Sequence, residues 1–126
     1  MAMTMRLPRS SRLTDGHEFH AVRQTGKSKA GRHVVLGVLK DSRDVGFRFG
    51  FITSKRVGNA VARNLVRRRL RAIVRSLGEE LQGGGKLVTI ARQSAAVASY
   101  AELTEDWRRT AFRLGILPRP QMEEQV

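Results

Sequence analysis

The chain has 126 residues, 40% of them apolar, and no dominant low-complexity tract, which suits one compact domain with a hydrophobic core rather than two domains. Its 24 Lys and Arg against 11 Asp and Glu leave a formal charge of +13. Such a field calls for a polyanion, nucleic acid first, because basic groups displace the counterions condensed on phosphate backbones. The absence of cysteine excludes disulfides, thiolate zinc sites and cysteine nucleophiles, and leaves no cysteine for lipid attachment, so an anionic membrane is the weaker partner.

Residues 1–13, ending RLPRSSRL, are expected to form a flexible basic arm, since Pro8 and the serines disfavour a helix and little is available to bury. The arm lacks the run of about 7 apolar residues that a secretory signal needs. No stretch of about 18 apolar residues occurs anywhere, so a cytoplasmic location without a membrane partner is expected. A single domain is expected over residues 14–118. It opens with a short helix capped by Thr14 or Asp15, with Glu18 placed for a capping box on Asp15, Phe19 and Val22 on its apolar side, and a stop at Gly26.

Val34 to Leu39 (VVLGVL) is a β-branched run, and after the turn-like Asp41 to Asp44 the segment GFRFGFIT alternates Phe47, Phe49 and Phe51 on one face. Together they predict a hairpin over residues 34–53. Lys86 to Arg92 (KLVTIAR) reads as a later strand after the Gly83 to Gly85 break. Ser99-Tyr100-Ala101-Glu102 is a capping-box pattern opening a last helix, with Leu103, Trp107, Ala111 and Leu114 as its seam. A loose tail is expected over residues 119–126. The order α-β-β-α-β-α, with room for one more short strand before the long helix, predicts an α+β fold of three helices on a mixed sheet of three to four strands.

The longest helical pattern runs from Asn59 to Leu77 without proline. At about 100° per residue, Val66, Leu70, Ile73 and Leu77 fall within a stripe roughly 60° wide, the expected buried face. Asn64, Arg67, Arg68, Arg71 and Arg75 share an arc of about 100° on the other side, while Arg63 and Arg69 flank the stripe. Solvated helices usually interleave acids with bases, because like charges at i,i+4 repel. Here Arg63, Arg67, Arg71 and Arg75 repeat at that spacing and no acid occurs between Lys55 and Gly78, so an external anion must offset the repulsion. Guanidinium forks bond phosphates in pairs and stack on bases, and Asn64 among them can reach base edges or ribose hydroxyls. Gly58 lets the backbone turn where the helix N-terminus would also favour a phosphate.

The segment Lys55-Arg56-Val57-Gly58-Asn59-Ala60-Val61, followed by Arg63-Asn64, Arg67-Arg68 and Arg71, resembles the signature of the bacterial ribonuclease P protein component. The resemblance extends to Arg12-Leu13, Phe19, Val22, Gly26, the strand around Arg32 to Leu39, and Ile90-Ala91-Arg92. It implies an α-β sandwich of the ribosomal-protein-S5 domain 2 type with a left-handed βαβ crossover. It also implies that Lys55, Arg56, Asn59, Arg63, Asn64, Arg67, Arg68 and Arg71 face the ribonuclease P catalytic RNA. A cleft between the first helix and the sheet, lined by Phe19, would hold the 5′ leader of precursor tRNA, and Mg²⁺ would be held mainly by the RNA that cuts it. The chain departs from the family's pattern at Leu65, where the third residue of the Arg-Asn-Arg signature is expected, with an additional arginine at Arg69. It departs again at Arg23 and Gly37, where relatives often carry aromatics in the cleft, and Arg23 would there contact a leader phosphate.

No Asp/Glu cluster for two metals, no paired histidines with a lysine and no nucleophile triad stand out, so no catalytic residue and no metal site are assigned to the protein itself. His17 and His20, at i,i+3, have no acidic ligand pair nearby. The Phe47, Phe49 and Phe51 face suits either a core under a helix, the commoner use, or a platform for stacking bases. The alternative function is a non-catalytic RNA-binding module of ribosomal-protein type. A helix-turn-helix DNA binder would need a short helix where residues 47–53 read as strand.

Overall fold

The computed structural model describes residues 16–118. Helix α1 (Gly16–Thr25) is followed by strands β1 (Lys27–Ala30), β2 (Val34–Lys40) and β3 (Phe47–Ile52), the long helix α2 (Ala60–Leu77), strand β4 (Gly85–Ala91) and helix α3 (Tyr100–Arg113). Short 3-10 turns occupy Gly78–Glu80 and Gln93–Ala96. The predicted α+β class holds, and the additional short strand is β1. The expected arm over residues 1–13, the tail over 119–126 and the caps Thr14 and Asp15 lie outside the described residues.

The hairpin expected over residues 34–53 does not form. β2 pairs antiparallel with β1, Lys27 opposite Val38, and with β4, Val34 opposite Ala91. β3 runs parallel to β4, Phe47 opposite Gly85 and Ile52 opposite Ile90, so the order is β1-β2-β4-β3. The turn chemistry at 41–44 is real, but the loop it builds straddles an intervening strand. Asp41 N–H donates to the Gly84 carbonyl at 3.0 Å, and Gly85 N–H donates to the Gly46 carbonyl at 3.1 Å, which seats the start of β4 in the mouth of that loop. A Cβ on Gly85 would lie 2.1 Å from the Leu39 carbonyl oxygen, and its φ of +135° disfavours any other residue. The glycine run that reads as a break is therefore the point where β4 enters between β2 and β3. The hairpin that does form joins β1 to β2.

Alternation in the strands gives the sheet two apolar faces. Val34, Leu36, Val38, Phe47, Phe49, Leu87 and Ala91 join Val66, Leu70, Ile73, Val74 and Leu77 of α2 and Leu103, Trp107 and Ala111 of α3 in the main core. Each large side chain buried there stabilises the fold by about 1.5–3 kcal/mol relative to exposure. Phe47 and Phe49 are thus core residues, not a stacking platform, and Phe51 packs half-buried at the margin. The other face carries Leu39, Ile52, Val88 and Ile90, covered by Val22 and Phe19 of α1. α1 and α2 consequently lie on opposite sides of one sheet.

Polar bonds lock the layers. Trp107 Nε1 donates to the buried Thr89 hydroxyl at 3.0 Å. The Asp106 carboxylate, also buried, accepts from the backbone N–H groups of Arg32, His33 and Val34 at 2.8, 2.7 and 3.1 Å, tying α3 to the β1–β2 turn.

Candidate nucleic-acid interface

α2 begins where the sequence places it. Asn59 is extended, and its side-chain oxygen accepts from Ala62 N–H at 2.9 Å, satisfying one of the donors a helix start leaves open. Val66, Leu70, Ile73 and Leu77 are all buried as expected, and Val74 joins them. This anchoring turns the arginine arc toward β3 and solvent.

The arc is graded. Asn64 and Arg68 are exposed, whereas Arg67 and Arg71 are half-buried. Arg67 donates Nη2 to the Thr53 hydroxyl at 2.6 Å and Nη1 to Asn64 Oδ1 at 2.8 Å. The Arg71 guanidinium lies 5.9 Å from the centroid of the Phe51 ring, within the range of cation–π attraction. Arg63 is half-buried, and its Nε is buried without a hydrogen-bond partner among the described residues. Neutral partners thus hold Arg67 in place, and the Phe51 ring is one contact of the Arg71 guanidinium. Nothing in the sequence identifies Thr53 as a partner of Arg67, because it is an ordinary strand-end threonine 14 positions away.

Lys55, Arg56 and Asn59 are exposed in the loop leading to α2. The loop closes on itself through Val57 N–H to the Ser54 carbonyl at 3.0 Å and Gly58 N–H to the Lys55 carbonyl at 3.2 Å. Gly58 adopts φ +147°, and a Cβ there would meet Ala62 Cβ at 3.0 Å. Glycine thus sets the direction from which Lys55 and Arg56 flank the helix start.

On the far side of the sheet a hollow of about 140 Å³ opens under α1, lined by Val22, Arg23, Val35, Gly37, Val88 and Ile90 among others. Phe19 packs beside it, half-buried against the Val22–Val88 pair. Gly37 accommodates the helix, since a Cβ there would press on Val22 Cγ1 at 3.2 Å. Glu18, expected in a capping box on a residue outside the described range, gives both carboxylate oxygens to Arg48 of β3 and so fastens α1 to the sheet.

The ion pairs Arg48–Glu18, Arg43–Asp41, Arg108–Glu80 and Arg109–Glu105 all use arginines outside α2.

The profile of the Ribonuclease P family matches residues 7–115. The ribonuclease P protein component of Bacillus cereus is 37% identical over 114 residues, covering 90% of this chain and 96% of the relative. The chain belongs to the ribonuclease P protein component family. The corresponding protein of Bacillus anthracis is 37% identical over 110 residues, 87% of this chain and 92% of the relative. In fold, the chain is similar to a Staphylococcus aureus RNase P protein (TM-score 0.80, 23% identity, 86% of this chain and 92% of the other). It is also similar to the RNase P protein of Thermotoga maritima (TM-score 0.71, 24% identity, 87% and 100%).

Within this ribonuclease P protein, Leu65, where the resemblance in sequence led to an expectation of arginine, stands half-buried on α2. The additional Arg69 does not fill that place, since its Nη1 donates to the Ala98 carbonyl at 3.1 Å and binds α2 to the segment before α3. Among the described residues, no group of three or more His, Asp or Glu is placed to hold a metal ion. No helix among them is long and apolar enough to cross a membrane.

Proposed function

We propose that this chain, as the protein subunit of a ribonuclease P ribonucleoprotein, binds the catalytic RNA through Lys55, Arg56, Asn59, Arg63, Asn64, Arg67, Arg68 and Arg71. The observation that carries this reading is Arg67, steadied by the uncharged Thr53 and Asn64 on an arc of α2 that also bears the exposed Arg68. Guanidinium groups ordered before binding lose less entropy on meeting phosphate, and their charge offsets repulsion between two RNAs. The 5′ leader of precursor tRNA lies in the hollow under α1, against Phe19 and with Arg23 contacting a leader phosphate. Placement of α1 and α2 on opposite sheet faces supports this division, because it lets one small domain touch catalytic RNA and leader together.

In this account the RNA holds Mg²⁺ and directs water at the scissile phosphodiester, leaving a 5′-phosphate on mature tRNA. The protein's part is to reduce phosphate repulsion and to favour precursor over product. The β3–α2–β4 connection between adjacent parallel strands is read as the left-handed crossover of the ribosomal-protein-S5 domain 2 type. The functional unit is a single domain over residues 14–118 acting in the cytoplasm.

Affinity for ribonuclease P RNA and for ribosomal RNA fragments, each titrated with salt, tests the reading. Selective binding to the former supports it, and equal affinity for both favours a general RNA-binding module.

A further inference from the structure

Three arginines from three separate segments line one open hollow at the end of the sheet. They are Arg32 of the β1–β2 turn, Arg56 of the loop before α2, and Arg92 just past β4. The hollow has a volume of about 730 Å³, with Gly58, Ser94 and Val97 also on its wall, and no acidic residue lines it. We propose that this hollow is a second binding site for the phosphate backbone of the catalytic RNA, carrying the α2 surface around the helix start onto the end of the sheet. The proposal rests on the function given above and adds Arg32 and Arg92 to the RNA-facing set.

The scaffold beneath these arginines is firm. Arg32 has its backbone N–H on Asp106 at 2.8 Å, and its carbonyl accepts from the Ser94 hydroxyl at 3.1 Å. Arg92 donates its backbone N–H to the His33 carbonyl and its Nη1 to the Gly31 carbonyl, both at 2.8 Å, which leaves most of its donor fork for an anion. Arg56 donates its backbone N–H to Ser54 Oγ at 3.3 Å. Three arginines on one wall offer positive charge that a phosphate can meet while accepting paired hydrogen bonds.

The surroundings choose the direction of the RNA. Beyond Arg32 a neighbouring hollow of about 550 Å³ is lined by Glu102, Glu105 and Asp106 together with Arg32, His33 and Arg109, and its three acids make it the less favourable of the two for a polyanion. The acid-free hollow lies on the α2 side and shares Arg56 and Gly58 with the loop that leads into α2. That continuity assigns it to the catalytic RNA rather than to the leader under α1.

The test compares Arg32→Gln, Arg92→Lys and the double variant Arg32→Ala/Arg92→Ala with Arg67→Ala/Arg71→Ala, after circular dichroism has established folding. Binding to ribonuclease P RNA is measured over a salt series, and precursor tRNA binding is measured on the holoenzyme at saturating protein. The expected result is an affinity for the catalytic RNA lowered about tenfold by the Arg32/Arg92 double variant, with a salt slope shallower by about one to two. Arg32→Gln alone should show part of the loss, since among the described residues its side chain makes no hydrogen bond that the substitution would break. An unchanged catalytic-RNA affinity in the Arg32 and Arg92 variants, beside a clear loss in Arg67→Ala/Arg71→Ala, overturns this site and leaves the α2 reading standing. Loss confined to precursor tRNA binding also overturns it, by moving the phosphate to the substrate. If neither double variant weakens binding, the α2 reading fails as well.

Discussion

Arg67 reaches across from α2 to the end of β3 and donates to the Thr53 hydroxyl at 2.6 Å, while Asn64 one turn earlier takes its other nitrogen at 2.8 Å. Two neutral acceptors thus orient a charge that no acid among the described residues pairs with. Arg67→Ala/Arg71→Ala is expected to lower affinity for the catalytic RNA by about tenfold or more, with a salt slope shallower by about two. Thr53→Val, which keeps the charge and removes only the orienting hydroxyl, should cost only a few-fold in affinity, about 0.5–1.5 kcal/mol. Unchanged affinity in the arginine variant, with an altered leader preference, would reverse the assignment of the two sheet faces.

Phe19 packs on Val22 and Val88 at the side of the hollow under α1. Phe19→Ala is expected to narrow the affinity gap between precursor and mature tRNA by about 1–3 kcal/mol, the scale of one base stacked on an aromatic ring. Equal gaps for the variant and the parent protein, measured on folded holoenzyme, would remove the leader from this hollow.

The buried Asp106 carboxylate serves three backbone N–H groups of the β1–β2 turn. Asp106→Ala strands those donors and should destabilise the domain by about 3 kcal/mol or more. Trp107→Phe removes the indole N–H that donates to the buried Thr89 hydroxyl and should cost about 1–3 kcal/mol. Urea unfolding reads both, and a loss under about 0.5 kcal/mol for Asp106→Ala would contradict the account of the turn.

The side-chain hydrogen bond from Arg43 holds the Asp41 carboxyl down at about 2. Glu102 is likewise lowered, first by the backbone N–H of Ser99 in the capping box. A carboxyl depressed in the folded state contributes stability that is complete above its unfolded value of about 4 and is lost as pH falls through the folded value. For Asp41 that loss spans pH 4 to about 2. Arg43→Ala should therefore return Asp41 toward the ordinary aspartate range in an NMR titration, and an unmoved Asp41 would show that another group holds it.

Much of this architecture is legible in residue order. The α2 stripe of Val66, Leu70, Ile73 and Leu77, the Asn59 start and the Ser99–Glu102 capping box follow from local periodicity and cap chemistry, and all are found. Strand order is not local. The turn residues at 41–44 announce that the chain bends but not which strand occupies the space beside it, and β4, from 40 residues further on, enters there through Gly84 and Gly85. The candidate interface divides in the same way. The α2 arginines are visible as a pattern, whereas Thr53 under Arg67, the Ala98 carbonyl that takes Arg69, and the meeting of Arg32, Arg56 and Arg92 depend on packing between distant segments.

The most direct measurement is cleavage of precursor tRNA by a cognate ribonuclease P RNA at low Mg²⁺, with and without this protein. The account predicts strong stimulation by the protein, a 5′-phosphate at the mature end, and loss of that stimulation in Arg67→Ala/Arg71→Ala. No stimulation despite tight binding to the RNA would contradict it.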